Sequence, residues 1–156
     1  MTPFAYHKAP EKTLAHTHPR GWQTFGDVGY VDEDGWLFLT DRLDDMIISG
    51  GVNIYPQEIE AAMLEVPGVL ECSVIGVPNE RFGERPVAFV VASPDDSYDA
   101  SDLLERLRTH NRQRLGRLKQ PDEIHLINQL PRNPVGKVLR RDLREKLIFN
   151  SQRNAP

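Results

Sequence analysis

The stretch LPRNPVGKVLRRDLREKL, Leu130 to Leu147, places one lysine, Lys137, directly after Gly136 in a loop that carries Pro131 and Pro134. The prolines limit backbone freedom, and the glycine permits a turn that other residues resist. Such a loop can hold an ammonium at a fixed point, where a compact positive charge suits a carboxylate or phosphate oxygen. A lone loop lysine can equally be a plain solvated charge. The loop is not a nucleotide P-loop, because the glycine run and the Ser or Thr after the lysine are absent.

Two further stretches carry groups that could do chemistry. In FGDVGY, Asp27 lies between glycines, where its carboxylate could accept two hydrogen bonds from a vicinal diol or simply bond its own turn. In DRLDDMIISGG, Arg42, Asp44 and Asp45 crowd between one strand system and the next, which reads either as a charged turn or as a joint between two rigid bodies. Asp44 and Asp45 are not an acid–base pair if the segment is extended, since adjacent side chains then point oppositely. His16 and His18 have no Cys or carboxylate at ligand spacing, so no metal site is expected.

These groups need elements to position them. Gly26 to Arg42 reads as strand, turn, strand, with DEDG as the turn. Met46–Ile48 and Val52–Tyr55 are short apolar strands joined by Gly50-Gly51 as a hairpin. Pro56 opens a helix with Ile59, Ala62, Met63 and Val66 on one face. VLECSVIGVP and RPVAFVVAS are β-branched strands. DASDLLERLRTHNRQRL is a helix capped by Asp99 or Ser101, with Leu103, Leu104 and Leu107 inward. DEIHLIN is a strand, and after the lysine loop VLRRDLREKL is a helix with Leu139, Leu143 and Leu147 in line. Residues 1–24 show no strong period. The fold class is α+β, with helices packed on a small sheet.

The chain has 156 residues, 39% of them hydrophobic and 27% charged, which suits one ordinary domain or a small domain plus part of another. No apolar run reaches the roughly 20 residues of a membrane span. Cys72 is the single cysteine, so no internal disulfide forms and a cytoplasmic setting is the default. The net charge of -4 is uneven: residues 1–100 hold 6 basic and 17 acidic side chains, and residues 101–156 hold 13 and 6. The basic part either faces an anion or neutralises the acidic part.

Taken together and in order, GWQTFGDVGYVDEDGWLFLTDRLDDMIISGGVNIYPQEIE and LPRNPVGKVLRRDL resemble the late motifs of the adenylate-forming superfamily, which includes acyl-CoA synthetases, luciferases and the adenylation domains of peptide synthetases. The resemblance covers Tyr6 to Leu147, and IISGGVNIYPQEIE favours the acyl- or aryl-CoA synthetase branch. It implies the C-terminal cap domain of these enzymes at residues 44–148, preceded at 1–43 by the tail of a large AMP-binding domain and followed at 149–156 by a flexible tail. It implies that Asp27 and Arg42 hold the ribose of ATP and of the acyl adenylate, that Asp44 is the hinge, and that Gly50 and Gly51 face the pantetheine channel. It implies that Lys137 is the catalytic lysine bridging the acyl carboxylate and the α-phosphate. Arg117 and Lys119 are candidates for the phosphates of coenzyme A.

The implied reaction joins a small-molecule carboxylate to ATP, releasing pyrophosphate, and then passes the acyl group from AMP to coenzyme A. The substrates and cofactors expected are ATP, AMP and coenzyme A, with Mg2+ only alongside the large domain. That domain's phosphate loop and its Tyr-Gly-x-Thr-Glu segment do not occur in the sequence, so the chain is expected to be inactive alone. One alternative is a stand-alone binding or regulatory module that completes a large domain in trans. Another is an unrelated domain binding nucleotide or nucleic acid through its basic half, against which stands the lack of aromatic residues among the arginines of 106–117.

Overall fold

The computed structural model describes residues 4–94 and 99–153. The chain divides into two compact units, Met1–Asp44 and Asp45–Pro156.

The first unit holds a short helix α1 (Pro10–Ala15) and an antiparallel ribbon of β1 (Asp27–Val31) and β2 (Leu37–Arg42). α1 lies where the sequence shows no period. It begins on Pro10 with Glu11 in its first turn and buries nothing, and six residues are too few to display a helical repeat. The DEDG turn forms as expected. The Asp32 carboxylate accepts the N–H groups of Asp34 (3.1 Å) and Trp36 (2.8 Å), the local bonding that favours aspartate in turns. Tyr30, Val31, Trp36, Leu37 and Leu39 of the ribbon and its turn stay exposed.

A 3₁₀ turn over Leu43–Asp45 leads into the second unit. There β3 (Ile47–Ser49) and β4 (Val52–Ile54) form a hairpin closed by Gly50 and Gly51, whose φ angles of +58° and +81° are costly for any other residue. Then follow α2 (Pro56–Leu64), the long antiparallel pair β5 (Val69–Asn79) and β6 (Gly83–Ala92), α3 (Ala100–Arg114), β7 (Glu123–Leu126) and α4 (Arg140–Arg153). The sheet runs β4-β3-β6-β5, with β7 parallel to β6.

Both faces of this sheet are covered, and the strand alternation decides which residue goes where. Val74, Ala88 and Val90 pack with Ile59, Met63, Leu103 and Leu107 of α2 and α3, while Ile75, Val77, Val87, Phe89 and Val91 pack with Leu143 of α4. Each of the larger of these buried side chains, from valine to phenylalanine, contributes on the order of 1.5–3 kcal/mol. The outer edge of β5 is covered by side chains: Glu60 accepts the Val74 N–H (2.8 Å), and Arg144 donates to the Gly76 carbonyl (3.3 Å). An edge so occupied offers less to a foreign strand. Asp99 is the N-cap of α3, bonded by the Ser101 hydroxyl instead of by a helix N–H. α4 runs past Leu147 to Arg153, and residues 154–156 of the expected tail lie outside the described residues.

Candidate functional site

The lysine loop is a small closed structure. Asn133 C=O accepts the Gly136 N–H (2.9 Å), the bond of a four-residue turn whose last residue, Gly136, sits at φ +86°. The Asn133 side-chain oxygen accepts the N–H groups of Val135 (3.1 Å) and Lys137 (2.9 Å), and the Asn133 backbone N–H donates to the Lys137 carbonyl (2.9 Å). Arg132 donates to the Gly136 carbonyl and to Glu71 on β5, each at 2.7 Å. Leu139 N–H closes the base on Pro131 O (2.8 Å). The loop's rigidity thus comes from Asn133 and Arg132 as much as from the prolines. Lys137 itself is exposed, and among the described residues its ammonium has neither a hydrogen bond nor an ion pair.

The second half of the loop base is Arg140, the first residue of α4. Its guanidinium donates to Asp45 (2.8 Å) and with its other nitrogen to both oxygens of Glu60 (2.9 and 3.2 Å). Burial opposes its charge, but the Glu60 and Asp45 carboxylates outweigh that and hold its pKa above the ordinary value.

In the first unit, β1–β2 register sets Asp27 opposite Arg42. Arg42 Nε donates to Asp27 (3.2 Å), and its terminal nitrogen to the Phe25 carbonyl (3.1 Å). Asp27 therefore opens a strand and meets a guanidinium, in place of a turn bonded to its own backbone. Both side chains are about half exposed, at 45% and 47%, so the pair is held by less than about 1 kcal/mol and remains available to a ligand. Asp44 and Asp45 lie in the 3₁₀ turn, not on an extended segment, yet they still diverge: Asp44 faces Lys12 (3.5 Å) and Asp45 faces Arg140. His16 bonds the Lys12 carbonyl, and His18 stacks on Trp22. No cluster of three or more metal-ligating side chains occurs among the described residues.

Beside the Gly50–Gly51 turn a cleft of about 520 Å3 is lined by Ser49, Arg81, Phe82, Arg117, Leu118 and Pro121, among others. Gly50 N–H donates to the Phe82 carbonyl (2.8 Å), which fixes the turn at the cleft's rim. Arg81 lies over the Phe82 ring. Arg117 is exposed and makes no ion pair among the described residues. Lys119 is bound by both oxygens of Glu58, at 2.6 and 2.7 Å, so of the two expected phosphate ligands only Arg117 is open. The cleft joins cationic groups to an aromatic face, the combination that receives a phosphorylated heterocycle. Arg81 and Phe82 carry no local signal that marks them in the sequence. No helix among the described residues is long and apolar enough to cross a membrane.

Residues 58–137 match the family described as AMP-binding enzyme C-terminal domain. The chain is 45% identical over 148 residues to the fatty acid–[acyl-carrier-protein] ligase ScoC of Streptomyces coeruleorubidus, covering 95% of the chain and 28% of that protein. It is 46% identical over 151 residues to the 2-succinylbenzoate–CoA ligase of Geobacillus kaustophilus, covering 94% of the chain and 29% of that protein. The structure is similar to ATP-bound MatB from Rhodopseudomonas palustris, with a TM-score of 0.77 and 36% identity over 88% of this chain and 26% of that one. The chain thus spans somewhat more than a quarter of the length of these relatives.

Proposed function

The chain belongs to the AMP-binding enzyme C-terminal domain family, and from that premise we propose that it serves as the mobile cap of an AMP-forming carboxylate–CoA ligase. The observation that carries the reading is Lys137: a rigid loop holds out an ammonium that makes no ion pair among the described residues. In the first step a carboxylate attacks the α-phosphate of ATP, giving acyl-AMP and pyrophosphate. Two anions must approach, and a cation between them lowers their repulsion as negative charge shifts. Asp27 accepts hydrogen bonds from the ribose hydroxyls, and Arg42 stands beside it.

In the second step the coenzyme A thiolate displaces AMP, and Lys137 has no role. Rotation about Asp44 carries the lysine away and brings in the Gly50–Gly51 face. The adjoining cleft then takes the nucleotide end of coenzyme A, with Arg117 and Arg81 on its phosphates and Phe82 against its base. A large domain seats ATP, Mg2+ and most of the acyl group. The exposed apolar residues of the β1–β2 ribbon support such a neighbour, since a free two-stranded ribbon is marginal in water. The relatives' names span a fatty acid and 2-succinylbenzoate, so the acid is left at the level of its class.

The test is Lys137→Ala in a full-length ligase carrying this segment. ATP-dependent pyrophosphate release with the carboxylate falls about 10²–10³-fold, while thioester formation from preformed acyl-AMP stays within a few fold. Equal loss in both steps removes the assigned role.

A further inference from the structure

Two neighbouring carboxylates are tied into different units. Asp44 faces Lys12 in the first, and Asp45 faces Arg140 in the second. Asp45 and Arg140 are 95 residues apart in sequence. Arg140 also grips Glu60 of α2, and it opens α4 directly after the base of the lysine loop. The three side chains are largely enclosed, at 19% exposure for Arg140, 20% for Asp45 and 15% for Glu60. One planar guanidinium therefore joins the first residue of the second unit, a core helix and the end of the loop that presents Lys137.

We propose that Arg140 is a positioning residue, which fastens the cap side of the joint to the base of the lysine loop. Backbone rotation is then confined to Asp44 and its first-unit side, and it reaches Lys137 as a rigid movement instead of being absorbed at Asp45–Met46. The inference rests on the reading of Asp44 as hinge and Lys137 as the travelling cation. Arginine is required because its fork meets two carboxylates at once, whereas a lysine ammonium is a single point charge.

Nitrogen-15 relaxation on the 156-residue chain tests this. In the native sequence the amides of Asp45, Met46, Val138 and Leu139 have order parameters near about 0.85, as rigid backbone does. In Arg140→Gln both pairs fall together, below about 0.6, while Val87–Val90 in β6 keep their values. Arg140→Lys, which retains the charge and guards against a failure to fold, loosens the Asp45 side and spares the loop base. If either side stays rigid in Arg140→Gln, or if β6 loosens equally, the fastening role is overturned. The result is independent of catalysis. An even loss of both half-reactions in Lys137→Ala would remove the functional reading and leave the relaxation result standing, and a rigid joint in Arg140→Gln would do the reverse.

Discussion

Glu60→Ala should cost the second unit about 3–4 kcal/mol, far more than a surface carboxylate is worth. Glu60 is 15% exposed and serves two partners. Its bonds to Arg140, at 2.9 and 3.2 Å, are charge-assisted and contribute about 1.5–3 kcal/mol. Its bond to the Val74 N–H, at 2.8 Å, satisfies a donor on the outer edge of β5, and leaving that donor bare costs about 1–3 kcal/mol. The helical preference of alanine returns only a few tenths. Urea unfolding followed by far-UV circular dichroism is the assay. Both tryptophans, Trp22 and Trp36, lie in the first unit, so their emission would miss the event. With a urea slope of about 1–3 kcal/mol/M, the midpoint falls by on the order of 1–4 M at unchanged slope. Glu60→Gln keeps an acceptor for Val74 and should lose about half as much. Glu58→Ala, which breaks the more exposed pair with Lys119, should lose at most about 1 kcal/mol. A Glu60→Ala loss no larger than that of Glu58→Ala would show that the enclosed cluster has been overvalued.

Two further outcomes follow from titratable groups. Cys72 is partly buried against the core that holds Met63 and Val74, and this burial, with the Glu60 carboxylate adding to it, pushes its thiol up. Iodoacetamide at pH 8 should therefore modify the native chain far more slowly than the denatured one; labelling of the folded chain at the rate of a free thiol contradicts that burial. Burial works to raise the Glu123 carboxyl, but Arg85, bonded at 2.5 Å, and His125 outweigh it and hold it below its ordinary 4.5. A carboxylate depressed in the folded state stabilises fully above its unfolded value and loses that contribution as pH falls through the folded value. Arg85→Gln should therefore lower the urea midpoint at pH 7 and lower it progressively less as pH falls below 4.5, and a drop that stays the same with pH would refute the electrostatic cause.

Much of the fold was legible because its signals are local. Ile59, Ala62, Met63 and Val66 share one face by helical spacing, and all four are buried. The β-branched runs became β5 and β6, and Gly50-Gly51 marked the hairpin through its demand for positive φ. The turn before Lys137 was legible in part: Pro134 and Gly136 marked it, while the bonding role of Asn133 went unread. What escaped was of two kinds. α1 is too short to show a period. The partners of Arg140 lie 80 and 95 residues away, and no spacing rule connects positions that only the folded sheet brings together. The parallel pairing of β7 on β6 is of the same kind, for the run DEIHLIN announces a strand without naming its neighbour.

The charge asymmetry resolves in a way that bears on the site. Several basic groups of the C-terminal part are matched within the second unit by acids from earlier in the chain: Arg114 by Glu65, Lys119 by Glu58, Arg132 by Glu71, and Arg140 by Glu60 and Asp45. The uneven halves thus neutralise each other across the fold instead of forming one broad cationic face. An unmatched cation then stands out by contrast. Lys137 sits within a few residues of Arg132 and Arg140, and both of those are engaged by carboxylates, while among the described residues it is not. Had a carboxylate been placed beside Lys137 as well, the ammonium would have to be stripped from it before meeting a reactant, at the cost of breaking a charge-assisted bond. The two arginines hold the loop by its flanks, and the lysine between them is left to carry its charge outward.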